Sequence, residues 1–165
     1  SPRRWLRSVP MRTIDQILGE LPTFAGLDPG YLEFIAGCGA NRVFEAGEHL
    51  AREGDPADSF FVIRQGRVAL EVAAPGRGEL MIETLGEGAV VGWSWLFPPH
   101  RWSFDARAAE RTRTIAFDGA CLRGKCDQDK VLGYELMQRF AAVMLDRLQA
   151  TRLQLLDVYG EPAAG

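Results

Sequence analysis

The residues best suited to chemistry lie between Val91 and Ala108, where Trp93, Trp95, Phe97, Trp102 and Phe104 crowd together around His100, Arg101 and Arg107. Three of the chain's four tryptophans fall in this stretch. Rings at this density can stack a flat or apolar ligand, and an arginine beside them can pair with an acidic group on that ligand. The same rings also make good core. Two readings therefore stand together: a shaped small-molecule pocket, or tryptophans that fill a space and bind nothing.

Other chemistry is sparse. Only two histidines exist, His49 and His100, too few for the histidine cluster of a metal-holding β-roll. Cys121 and Cys126 flank Leu122-Arg123-Gly124-Lys125, whose cations would lower a thiolate pKa. A redox pair or half a metal site fits that spacing, but two ordinary reduced cysteines fit it better. With Cys38 the chain has three cysteines, an odd number, which favours reduced thiols and a cytoplasmic location. No glycine-rich phosphate loop appears and no Ser/His/Asp set can be assembled, so no enzyme is expected and no cofactor is required.

Composition agrees. The 165 residues are 47% apolar and 25% charged, as in an ordinary globular domain, with a net charge of −3. No basic field draws nucleic acid to this chain, and no run of about eighteen apolar residues suits a membrane.

Three regimes of periodicity position these residues. Residues 1–12 read as a basic arm, and 160–165 as a Pro/Ala/Gly tail. Between them, Ile14, Ile17, Leu18 and Leu21, then Leu32, Phe34 and Ile35, recur at helical spacing, the second group opening on Asp28-Pro29 as cap and first helical residue. Residues 40–118 switch to short strands broken by glycine, with a hairpin signal across Gln65-Gly66 and a turn at Pro75-Gly76-Arg77-Gly78. About eight such strands predict a mainly β fold, an eight-stranded roll or jelly roll. Residues 119–159 turn helical, and Met137, Ala141, Met144, Leu148, Thr151, Leu155 and Val158 form a seam of alternating fours and threes. That seam predicts a homodimer through the long helix.

The arrangement resembles the cyclic-nucleotide-binding domain of the cAMP receptor protein family, over about residues 13–159. Phe44-Glu45-Ala46-Gly47-Glu48, then Arg52-Glu53-Gly54-Asp55-Pro56-Ala57-Asp58-Ser59-Phe60, resembles that family's opening motif. Phe61 to Val68 resembles its strand-Gly-strand hairpin, and Leu85-Gly86-Glu87-Gly88 the turn before its ligand cassette. The resemblance implies that a Gly-Glu pair opens a short helix there, whose amides and a following arginine hold the cyclic phosphate while the glutamate takes the ribose hydroxyl. In this chain Gly92 is present, Trp93 stands at the glutamate position, and Trp102 stands at the arginine position with Arg101 one residue away. Losing both charged contacts should weaken cAMP binding by about two to four orders of magnitude. Thr151 matches a base-contacting threonine of the family's central helix.

The resemblance thus implies a stand-alone regulatory or sensor domain that holds a small effector, with cAMP as the candidate ligand. Its site residues would be Gly92, Trp93, Ser94, Trp95, Leu96, Arg101, Trp102, Ser103 and Thr151, signalling through the long helix. The alternatives are a ligand-free scaffold for a protein partner, its pocket filled by tryptophans, and the effector half of a transcription regulator. The few residues after Gly160 leave no room for a helix-turn-helix.

Overall fold

A computed structural model describes residues 12–160, with side chains described to Asp157. The body of the basic arm, the tail and the Val158 side chain of the seam lie outside the described residues. Contacts divide the chain near Lys125 into two units.

The first unit opens with α1 (Ile14–Glu20) and α2 (Pro29–Ala36). The Asp28 carboxylate accepts the Gly30 N–H at 2.8 Å and Pro29 occupies the first helical position, as the sequence led one to expect. Eight strands follow: β1 (Gly39–Phe44), β2 (His49–Ala51), β3 (Ser59–Gln65), β4 (Val68–Ala74), β5 (Gly78–Leu85), β6 (Val90–Val91), β7 (Asp105–Ala108) and β8 (Thr112–Asp118). They form two antiparallel four-stranded sheets, β1-β8-β3-β6 and β2-β7-β4-β5, so consecutive strands alternate between sheets as in a jelly roll, except for β4 and β5, which form a hairpin within one sheet. The strand β7 begins only at Asp105, and Ser103 and Phe104 before it form a bend.

Alternation of side chains along β3 creates two apolar clusters. Phe61 and Ile63 face Phe44, Val68, Leu70, Val91, Ala106 and Trp102 inside the roll. Phe60 points the other way, stacked between Trp95 at 4.6 Å and Phe117 at 4.8 Å between ring centroids. The hairpin expected across Gln65-Gly66 is not formed, because β3 and β4 lie in different sheets. The turn there carries the chain from one sheet to the other and depends on glycine, since with φ +109° an added Cβ would lie 2.6 Å from Thr112 Oγ1 and 2.8 Å from Arg111 O.

One expectation is corrected here. Cys38 and Cys121 are joined in a disulfide, with Cα atoms 5.7 Å apart, and Cys126 alone is free among the described cysteines. The register of β1 on β8 explains the pairing. Gly39 pairs with Phe117, and the Asp118 N–H donates to Cys38 O at 2.9 Å. The Asp118 carboxylate caps α3 (Gly119–Gln128) through the Cys121 N–H at 3.0 Å, which brings Cys121 back beside Cys38.

The second unit is dominated by α4 (Lys130–Gly160), 31 residues long. The Asp129 carboxylate accepts N–H groups of Val131 and Leu132, both at 3.1 Å, and a Glu135–Arg139 pair at 3.5 Å braces the next turn. Leu132, Leu136 and Phe140 are buried, whereas Leu145, Leu148, Leu153, Leu155 and Leu156 are exposed. Among the described residues, no helix is long and apolar enough to cross a membrane.

Candidate functional site

The tryptophan-rich segment begins where β6 ends. Val90 and Val91 pair with Val62 and Phe61, and the chain then leaves the sheet at Gly92 with φ +98°. One turn follows: Leu96 N–H donates to Trp93 O at 3.0 Å, and Trp95 Nε1 donates to Gly92 O at 3.2 Å. The short helix implied by the family resemblance is not formed; residues 94–96 make a single turn. Pro98 and Pro99 account for this, since neither offers an N–H and each disfavours helical backbone in the residue before it. His100, at φ +55°, reverses the chain and donates its N–H to Phe97 O at 2.9 Å.

From there the backbone is tied to the loop carrying Gly54 to Ala57. His100 O accepts the Ala57 N–H at 2.7 Å, Trp102 N–H donates to Asp55 O at 2.9 Å, and Trp102 O accepts the Gly54 N–H at 2.8 Å. Asp105 Oδ1 accepts the Glu53 N–H at 2.7 Å. These bonds fix which way each side chain points. Trp102 enters the roll with 5% of its surface exposed, and a Cβ on Gly92 would lie 2.4 Å from its Cη2 and Cζ3 atoms. The indole therefore covers the backbone of the cassette glycine, with Phe104 edge-on at 5.8 Å. Arg101 points outward and donates from Nη1 to Gly54 O at 2.9 Å.

The remaining expected site residues separate. Trp95 is fully buried in the Phe60–Phe117 stack, with its carbonyl accepting from Arg123 Nη1, so it is core. Trp93, Ser94 and Leu96 are half-buried on the turn, and Ser103 is exposed. Thr151 is exposed on α4 and spends its hydroxyl on Arg147 O at 2.9 Å. Of the expected site residues, Gly92 and Trp102 are thus in contact, Trp93, Ser94 and Leu96 lie on the turn that follows Gly92, Arg101, Ser103 and Thr151 are exposed, and Trp95 packs on Phe60.

Arg107, read from the sequence as an acid partner for a ligand, is already engaged. Its Nε donates to Oε1 of buried Glu71 at 2.7 Å. Glu71 lies opposite Asp105 in the β4–β7 register, and Glu79 joins them. Hydrogen bonding to Glu71 and to Asp105, with repulsion from both carboxylates, holds the Glu79 carboxyl above its ordinary range. Sequence reading missed this cluster because strand register alone brings the three acids together. Among the described residues, no group of three or more His, Cys, Asp or Glu side chains is placed to hold a metal ion.

Two sheets in this order, a cassette between β6 and β7 and a long terminal helix define a known architecture, and residues 41–129 match the family model for the cyclic nucleotide-binding domain. The chain belongs to that family. A putative cyclic nucleotide-binding protein from Geobacter metallireducens superposes with a TM-score of 0.73 at 28% identity, over 84% of this chain and 99% of that one. The catabolite activator protein of Thermus thermophilus superposes at 0.67 with 24% identity, over 84% of this chain and 63% of its own, a likeness of fold. A CRP-like cAMP-activated global transcriptional regulator of Mycobacterium tuberculosis is 23% identical over 145 residues, 88% of this chain and 63% of the regulator. A putative potassium channel protein of Rhodopseudomonas palustris is 27% identical over 122 residues, 74% of this chain and 29% of the channel. The domain thus spans less than two thirds of these two relatives.

Proposed function

We propose that this cyclic-nucleotide-binding-family domain is a regulatory interaction module whose interior site is occupied by its own Trp102 side chain, and that it works as a pair of copies joined through α4. The contact of the Trp102 ring with Gly92 carries the reading. A nucleotide seated in the manner the family resemblance implies needs the Gly92 amide region and a cation for its phosphate. Here the indole lies on the first, and tryptophan supplies no charge for the second.

The interior electrostatics support the same conclusion. Among the described residues, the buried polar or charged side chains are Glu71, Thr112 and Thr114, with no buried lysine, arginine or histidine. A phosphate placed between the sheets would be a buried charge without a partner, and such a charge costs several kcal/mol, on the order of 3–5 when one member of a pair is missing. The nearest cation in sequence, Arg101, is held outside by Gly54 O. Pairing through α4 is supported by Leu148 and Leu155, seam residues 49% and 53% exposed in the single copy.

Isothermal titration with cAMP and cGMP tests the reading. The expected result is no heat of binding for the native domain, with measurable binding gained by a Trp93→Glu/Trp102→Arg variant that supplies the two missing groups. Micromolar binding by the native domain would overturn the proposal and return the domain to an effector sensor with a movable Trp102. A thermal-shift screen of nucleotides and aromatic acids extends the test to ligands other than cyclic nucleotides.

A further inference from the structure

The outer face of the β1-β8-β3-β6 sheet carries a second feature, independent of the interior. Arg113, on β8, sits opposite Val43 of β1 on one side and Gln65 of β3 on the other. The β3–β8 register is irregular between Ile63 and Gln65, and such a bulge re-aims the residue within it, here Arg64. Arg64 Nη1 donates to Oδ1 of Asn41 at 3.1 Å. Asn41 lies on β1, beyond β8 in the sheet order, so the Arg64 side chain crosses the strand that bears Arg113. Two guanidiniums therefore share one narrow strip.

Two adjoining clefts meet at this strip. Asn41, Arg42, Val43, Arg64, Arg113 and Thr114 line one of about 200 Å³. Gln65, Arg111 and Arg113 line the other, of about 320 Å³, so Arg113 is common to both. Neither lining contains a carboxylate. Among the described residues, the acid paired with a lining arginine is Glu45, whose Oε1 stands 3.6 Å from Arg111 Nε in a pair more than half exposed on both sides. An exposed pair at that separation yields readily to a better anion.

A chain with a net charge of −3 has thus gathered Arg64, Arg111 and Arg113 around one pair of clefts, while the Arg42 guanidinium lies over the Phe44 ring at 4.7 Å. Their mutual repulsion is relieved by a bound anion. Planar guanidiniums match phosphate oxygens in pairs, and the Asn41 and Gln65 amides add neutral donors at each end. We propose that this face binds a small diphosphate-type anion, with one phosphoryl group between Arg64 and Arg113 and the second between Arg113 and Arg111.

Titration of the folded domain with inorganic pyrophosphate and with orthophosphate tests the assignment. One saturable site is expected, at least tenfold tighter for pyrophosphate. Arg64→Gln and Arg113→Gln should each weaken pyrophosphate at least tenfold. Arg111→Gln should bring pyrophosphate down toward orthophosphate, and Arg77→Gln, on the exposed β4–β5 turn, should change nothing. Circular dichroism melts verify that these surface variants remain folded. Absence of saturable binding overturns the proposal, as does binding that survives the Arg64→Gln/Arg113→Gln pair. Equal weakening by Arg77→Gln would mean diffuse attraction and would overturn it as well.

Discussion

Replacing Gly92 with alanine tests whether the indole of Trp102 truly rests on the cassette backbone. Two separate costs are expected. At φ +98° an L-residue is strained, which costs about 1–3 kcal/mol wherever its Cβ points. The new methyl would also lie 2.4 Å from two ring carbons of Trp102, well inside contact, so the ring must move. Displacing a packed side chain in this way costs a further ~1–3 kcal/mol. The sum, about 2–6 kcal/mol, is a large share of the stability of a domain this size. The two parts separate in a cycle with Trp102→Leu, because leucine lacks the far edge of the six-membered ring that makes the contact. In that background Gly92→Ala should retain only the backbone cost, so the cycle should show a coupling of about 1–3 kcal/mol. Urea unfolding followed by circular dichroism measures all four proteins without relying on tryptophan fluorescence. Additivity within about 0.5 kcal/mol would mean that the ring and the glycine do not touch, and the filled-pocket argument would fall with it.

Thiol titration of the native protein without reductant should find one reactive cysteine of the three, Cys126, and Cys38→Ser/Cys121→Ser should lose up to about 4.5 kcal/mol by the entropy of a loop spanning 83 residues; three reactive thiols would refute the disulfide. Burial, then Asp127 and Asp129, push the Cys126 thiol up, so its alkylation at pH 7 should be slower than that of a free thiol. Glu79 titrates above its ordinary value in the fold, so the folded state binds more protons than the unfolded chain between the two values, and this group's contribution falls as pH rises through that window. Glu79→Gln should therefore raise the melting temperature at neutral pH and lose that advantage below the ordinary carboxylate range, and equal effects at both ends would refute the assignment. Leu148→Glu/Leu155→Glu should convert a sedimenting dimer to monomer, and a native monomer at micromolar concentration would remove the paired-copy reading.

The local punctuation of this fold was legible in the chain. Asp28-Pro29, Gln65-Gly66 and the turn at Pro75 each demand a particular backbone, and the structure places a cap and two turns there, although the turn at Gln65-Gly66 joins two sheets instead of closing a hairpin. The long helix was legible too, since helical apolar spacing recurs from Met137 to Val158 and no proline interrupts the segment. The two aromatic readings of the cassette could not be separated in this way. Trp95 and Trp102 are the same residue type seven positions apart, yet one stacks on Phe60 outside the roll's inner cluster and the other enters it. The inward course of Trp102 depends on backbone bonds to Asp55 and Gly54, nearly fifty residues upstream, whereas Trp95 is held by Phe60 and Gly92 O.

By itself, then, the sequence determined the eight-strand roll and the flanking helices, because periodicity and turn chemistry act over a few neighbouring residues, while its resemblance to the family implied tryptophans at the charged positions of the cassette. Only tertiary structure decided that Trp102 lies on Gly92, that Cys38 meets Cys121, that Arg107 is spent on Glu71, and that Arg64 crosses β8 toward Asn41 beside Arg113. Each of these pairings depends on strand register between distant segments, where a shift of one residue would turn every side chain to the opposite face.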